Sequence, residues 1–221
     1  GLVWACGTGE EGFDFHRCVG ARRERFLLDA RFNLFCFEPG EHYRYESVPG
    51  TGTRRQSWCR KDLGLVVDRL NATGAKVVPY VQSPGHQAIG LFCDKGVRPD
   101  LYEEGNRDVL CTRHPDAYRF LFGVFGEMAD VCAKNPGYRS GFFHAGGDEV
   151  RWKTDLPSDR RCPRCRDIPH NRRLLDHVGR VNGWCRAHGL LPLAPLPRHF
   201  GRRLRLRLDR FVSRRFFKRT S

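Results

Sequence analysis

The sequence has no apolar run near the roughly 18–20 residues that a membrane span requires, so a transmembrane helix is not expected. It also has no recognisable leader. "GLVWACG" is too short and wrongly flanked for a secretory signal, and a chain opening at Gly1 on such residues reads as the middle of a domain, so a fragment is expected. No sequence repeat is visible. Acidic residues all but vanish towards the C-terminus: from Ala194 onward 10 Lys/Arg stand against 1 Asp/Glu, whereas residues 1–150 hold 19 against 20. The net charge of +14 therefore belongs to the C-terminal third. A basic face interleaved with the core elements, which a nucleic-acid-binding domain would more often show, is lacking.

The composition, 40% hydrophobic and 12% aromatic over 221 residues, is that of a globular chain able to bury one sizeable core. Ten cysteines are scattered, several inside apolar runs. They read as buried thiols in a reducing compartment rather than as a disulfide framework, and a cytoplasmic location is expected. The sequon Asn71-Ala72-Thr73 points the other way, but such triplets arise often by chance.

Short apolar strands alternate with amphipathic helices, the pattern of a parallel α/β sheet. Strands are expected at "GLVWAC", "FNLFCFE", "AKVVPYVQ", "SGFFHAG" and "GLLPL". Helices are expected over Asp14–Ala30, Ser57–Leu70, Pro115 to about Ala133 and Leu174–His188. In the third of these, Tyr118, Leu121, Phe125, Met128 and Cys132 repeat at helical spacing, and Pro115 suits a first turn. Four or five βα units in this length match the density of a (β/α)8 barrel, which needs roughly 250 residues to close. The fold class expected is α/β, a partial (β/α)8 barrel over 1–193 followed by a basic irregular tail over 194–221.

Polar clusters recur where strands end: "EPGEHYRY", "QSPGHQ" and "HAGGDE". In parallel α/β folds the C-terminal strand ends are where sites are built. Asp148 and Glu149 are adjacent acids after a glycine pair that leaves the backbone open to a ligand. Two acids in different environments can divide into one that stays ionised and one held protonated for general acid catalysis. A bare "GGDE" fits equally well a loop capped by two solvated acids. His144 should share a side with Gly146 and, like His86, is either a packing residue or a hydrogen-bonding support for the acids. Glu38 and Glu41 flank a Pro-Gly turn, which also reads as a charged loop.

These residues carry a resemblance. "FFHAGGDEV" resembles the signature of family 20 glycoside hydrolases, the β-N-acetylhexosaminidases, in which a His-x-Gly-Gly-Asp-Glu run ends the fourth barrel strand. "NLFCFEPGEHYRY", "VVPYVQSPGH" and "VLCTRHPDAYRFLFGVFGEMADV" are similar, in order, to earlier segments of the hexosaminidase D-like branch. "CPRCRD" and a helix ending "WCRAHGL" are similar to the segment after the catalytic strand in bacterial members. The resemblance covers residues 1–193. It implies that the substrate's own 2-acetamido oxygen is the nucleophile, an exception to the two-carboxylate rule. By the same implication Glu149 is the acid and then the base, and Asp148 orients the acetamido group. His144 and His86 would support them, and Glu38 and Glu41 would lie near the mouth. The implied partner is a glycan ending in N-acetylglucosamine or N-acetylgalactosamine, with no cofactor, no nucleic acid and no membrane.

Two departures stand out. "VWACGTG" lacks the Asp and Arg that the family's first strand offers, and nothing after Leu193 resembles the later strands. The segment from Ala194 reads as a divergent basic tail or as the product of a shifted reading frame, the abrupt change in composition favouring the second, and no activity of the chain by itself is taken for granted. The competing expectation is a basic, zinc-stapled nucleic-acid-binding module. "CPRC", Cys162 to Cys165, has zinc-knuckle spacing, and "RRFFKR" interleaves Arg with Phe. His170, His177, Cys185 or His188 could complete a metal site, but none stands at a motif spacing, so the reading prefers no metal.

Overall fold

The structure, a computed structural model, describes residues 2–6, 33–40, 43–51, 58–87, 97–104, 106–132, 140–147, 150 and 162–193. The expected helix over Asp14–Ala30 and the basic tail from Ala194 lie outside these residues. Strand β1 is Leu2–Cys6 and β2 is Leu34–Glu38. Helix α1, Arg60–Ala72, begins after Cys59, whose backbone N–H is accepted by Asp62 three residues on, as in a capping box. It buries Leu63, Val66, Val67 and Leu70 on one face and stops at Thr73-Gly74, where Gly74 takes a φ of 84°. Asn71 is buried on this helix, so the sequon is not an exposed acceptor.

Strand β3, Lys76–Pro79, comes next. A 3-10 turn at Pro99–Leu101 leads into an antiparallel hairpin of β4, Tyr102–Glu103, and β5, Asn106–Leu110. The sequence pattern predicts no element here. Helix α2 is Ala117–Cys132, β6 is Phe142–His144, α3 is His170–Ala187 and β7 is Leu191–Leu193. Helix α3 starts one turn before the expected Leu174.

Strands β1, β2 and β3 are parallel, with Cys6 level with Glu38 and Phe37 with Pro79. Strands β6 and β7 are parallel as well. A parallel bridge between Tyr80 and His144 joins the two groups, with the Val81 N–H donating to the His144 carbonyl at 2.9 Å. The order β1-β2-β3-β6-β7 therefore runs with the chain, and consecutive strands end on one side. This is an α/β fold in which α2 packs on β3 and on α1.

The core lies between strands and helices. Phe125 of α2 sits 4.6 Å from Phe143 of β6 and 5.3 Å from Trp184 of α3, measured between ring centres. Such aromatic contacts add about 0.5–1.5 kcal/mol each beyond the area they bury. All five residues of the α2 stripe named from spacing are buried.

Candidate active site at the strand ends

Glu38 is the last residue of β2 and only 4% exposed, so it is not part of a solvated charged loop. The chain after it is held down from below. Glu127 of α2 accepts the Tyr43 hydroxyl at 2.8 Å and the backbone N–H groups of Glu46 and Ser47 at 3.0 and 2.8 Å. Burial first, and the charge of Glu38 next, push the Tyr45 phenol well up, so it stays neutral. Glu41 lies outside the described residues.

After β3 the chain turns through Gln82–Gln87. The Gln87 side-chain amide donates to the Gln82 and Gly85 carbonyls at 2.9 and 3.1 Å, closing the loop on itself. From outside, the Leu110 N–H of β5 donates to the Pro84 carbonyl at 2.8 Å. His86 is half-buried at a φ of 53°, a strained backbone for a non-glycine residue.

His144 ends β6, buried, its ring edge-on to Tyr80 at 4.3 Å. Its Nδ1 accepts the Gly146 N–H at 3.2 Å, as its predicted position on the side of Gly146 requires. That bond places the ring proton on Nε2. Gly146 has a φ of 66°, and a Cβ there would stand 2.7 Å from Gln82 Oε1 and 2.8 Å from the Ser83 backbone nitrogen. Only glycine fits. The expectation that the pair opens the backbone to a ligand needs correcting at Gly146: its close neighbour is the end of β3. Gly147, at a φ of 104°, then leads into Asp148 and Glu149, which lie outside the described residues.

Ser83 links these two strand ends, and His177 of α3 supports it, a role that spacing does not reveal. Ser83 Oγ donates to the Ala145 carbonyl at 2.7 Å, so His177 Nε2 donates to Ser83 Oγ at 3.2 Å. Tyr118 then donates to His177 Nδ1, also at 3.2 Å. Every polar atom in the chain Tyr118–His177–Ser83–Ala145 has a partner when the imidazole is neutral. Burial pushes its pKa down to about 3, which keeps it so. Nothing at sequence level marks His177 except its place on the buried face of an amphipathic helix.

The cysteine pair also finds a partner that spacing does not reveal. Cys162 and Cys165 meet Cys111, whose sulfur lies 3.7 Å from Cys162 Sγ and 3.4 Å from Cys165 Sγ. Hydrogen bonding from the Cys165 thiol pushes Cys111 down, against the burial that would raise it. The same bond pushes Cys165 well up. The residues expected as further ligands go elsewhere. His177 is in the relay above, Cys185 is in the aromatic core, and His188 stacks on Trp184 at 4.1 Å. His170 opens α3 and is not in the cysteine group. Beside the sulfurs, Arg173 of α3 pairs with Glu103 of β4 at 2.6 Å, both side chains buried.

Among the described residues no helix is long and apolar enough to cross a membrane. The fold is shared with solved β-N-acetylhexosaminidases. One, described simply as a β-N-acetylhexosaminidase, matches with a TM-score of 0.62 and 16% identity over 80% of this chain and 42% of its own. The Bacteroides fragilis enzyme matches with a TM-score of 0.57 and 17% identity over 78% of this chain and 37% of its own. A Vibrio harveyi family 20 exo-β-N-acetylglucosaminidase, solved with N-acetylglucosamine, matches with a TM-score of 0.62 and 17% identity over 87% and 34%. The chain thus spans about a third to two fifths of the length of these proteins. Residues 33–187, which include every strand end described above except that of β1 and β7, match the model of the glycosyl hydrolase family 20 catalytic domain, and the chain belongs to that family.

Proposed function

We propose that this chain carries the acid/base side of a β-N-acetylhexosaminidase site, acting on glycans that end in N-acetylglucosamine or N-acetylgalactosamine. The observation that carries the reading is the lock between the β3 and β6 ends. Gly146 sits against Gln82 and Ser83, and Ser83, held in turn by His177, hydrogen-bonds the Ala145 carbonyl on the chain that leads into Asp148 and Glu149. Acids that must act at fixed distances from a sugar ring need such a rigid base. Family membership and the N-acetylglucosamine bound by the Vibrio harveyi protein support the substrate class.

In this reading Glu149 protonates the glycosidic oxygen while the substrate's acetamido oxygen attacks the anomeric carbon. Glu149 then takes a proton from the water that opens the cyclic intermediate. Asp148 stays ionised, accepts the acetamido N–H and stabilises the positive charge that develops on that group. Neither acid attacks across the ring, which is why two neighbours can share the work. Buried Glu38 and the loop bearing His86 would form the adjacent wall. The unit proposed is a partial (β/α)8 barrel over 1–193, of the hexosaminidase D-like branch, working in a reducing compartment.

The test is hydrolysis of an aryl N-acetyl-β-glucosaminide. Turnover that Glu149→Gln lowers by about a hundredfold or more, within the range expected for general acid–base catalysis, supports the reading. Equal turnover by the two proteins would overturn the role of Glu149.

A further inference from the structure

Ordinary buried cysteines in this chain are isolated thiols within apolar packing: Cys132 and Cys185 belong to the main aromatic core. Cys111, Cys162 and Cys165 do not. They form a buried cluster of their own, 0%, 2% and 0% exposed, detached from that core. Their sulfurs all lie within 4.8 Å of one another. Three thiolates around a tetrahedral zinc at about 2.3 Å are spaced by roughly 3.8 Å, close to the 3.4 and 3.7 Å observed.

The backbone is shaped for the same purpose. Cys162-Pro163-Arg164-Cys165 is a tight turn in which the Cys165 and Arg166 N–H groups both donate to the Cys162 carbonyl, at 3.1 and 3.0 Å. The Cys111 side of the cluster is a turn as well, closed by the His114 N–H donating to the Cys111 carbonyl at 2.9 Å. A disulfide would use two of the three sulfurs and strand the third.

We propose that Cys111, Cys162 and Cys165 bind one structural zinc ion through three thiolates. Each thiol that becomes a ligand releases its proton to solvent. Glu103 is not one of that group of ligand atoms; its buried carboxylate is paired with Arg173. Such a metal would cross-link the connection after β5 to the one between β6 and α3, segments 51 residues apart at Cys111 and Cys162. Because Leu110 holds the Pro84 carbonyl, the cross-link would also brace the loop that carries His86.

The experiment is elemental analysis of the full chain after equilibration with zinc under reducing conditions and dialysis against metal-free buffer. One zinc per chain is expected, with a near-ultraviolet thiolate-to-metal band when cobalt replaces it. Cys111→Ser should weaken zinc binding by more than the roughly 10–100-fold typical of losing an outer partner, while Cys111→His should retain the metal and Cys59→Ser should behave as the parent. The parent measurement stands even if Cys111→Ser does not fold. No zinc on the parent chain, or two of the three cysteines found disulfide-linked after alkylation, would overturn the proposal. Either outcome leaves the hydrolase reading untouched, since no catalytic step passes through the metal.

Discussion

Two buried clusters do different work in this molecule. Below the strand ends, Phe125, Phe143 and Trp184 form an aromatic core that arises from helical and strand periodicity and is stabilised by area. In the connections after β5 and β6, three sulfurs and the Glu103–Arg173 pair hold residues far apart in sequence by specific contacts. The first tolerates approximate fits but resists loss of volume. The second resists loss of a single atom. The β3 and β6 ends, where the site is proposed, pack against one another at Gly146.

The largest effect should come from emptying the core. Phe125→Ala is expected to cost about 3–5 kcal/mol, read as a loss of stability in denaturant unfolding. Gly146→Ala should come second, at roughly 2–4 kcal/mol, since the methyl group would collide with the Gln82–Ser83 backbone and the φ is unsuited to alanine. If Gly146→Ala were neutral, the close packing of the two strand ends would be wrong.

His177 sharpens the comparison through pH. Its folded-state pKa, about 3, lies below the ordinary 6.5, so the unfolded chain binds its proton first. Stability from this residue is fully present above pH 6.5 and is lost as pH falls towards 3, at up to about 1.4 kcal/mol per pH unit. Thermal unfolding from pH 7 to pH 4 should show that slope, and His177→Gln should flatten it. Tyr118→Phe, which leaves His177 Nδ1 without its donor, should cost about 1–3 kcal/mol. Smallest of all, Arg98→Ala breaks surface pairing with Asp100 and Asp116 and should stay within about 0.5 kcal/mol.

Much of the frame is legible in the sequence because it rests on local repetition. The stripe Tyr118 to Cys132, the face Leu63 to Leu70 and the five parallel strands all come from spacing and apolar runs. The hairpin is not legible, because "NRDVL" has neither alternation nor a turn signal a two-residue partner strand could reinforce. The start of α3 is hidden by its polar first turn, in which Arg173 is buried only because Glu103, 70 residues earlier, neutralises it. The parts played by Cys111 and His177 are hidden for the same reason: each acquires its meaning from a partner brought close by the fold, and His177, named as a candidate metal ligand, bonds Ser83 and Tyr118 instead. Gly146 stands out in the sequence for the wrong reason, since a sequence shows that a glycine is needed but not what presses on it.

The central claim is that the locked β3 and β6 ends present Glu149 as the group that moves the proton, and the most direct measurement is turnover of an aryl N-acetyl-β-glucosaminide by the parent chain and by Glu149→Gln under identical conditions. The account predicts a loss of about a hundredfold or more in kcat with the fold intact. Parent-like turnover by the variant would contradict it.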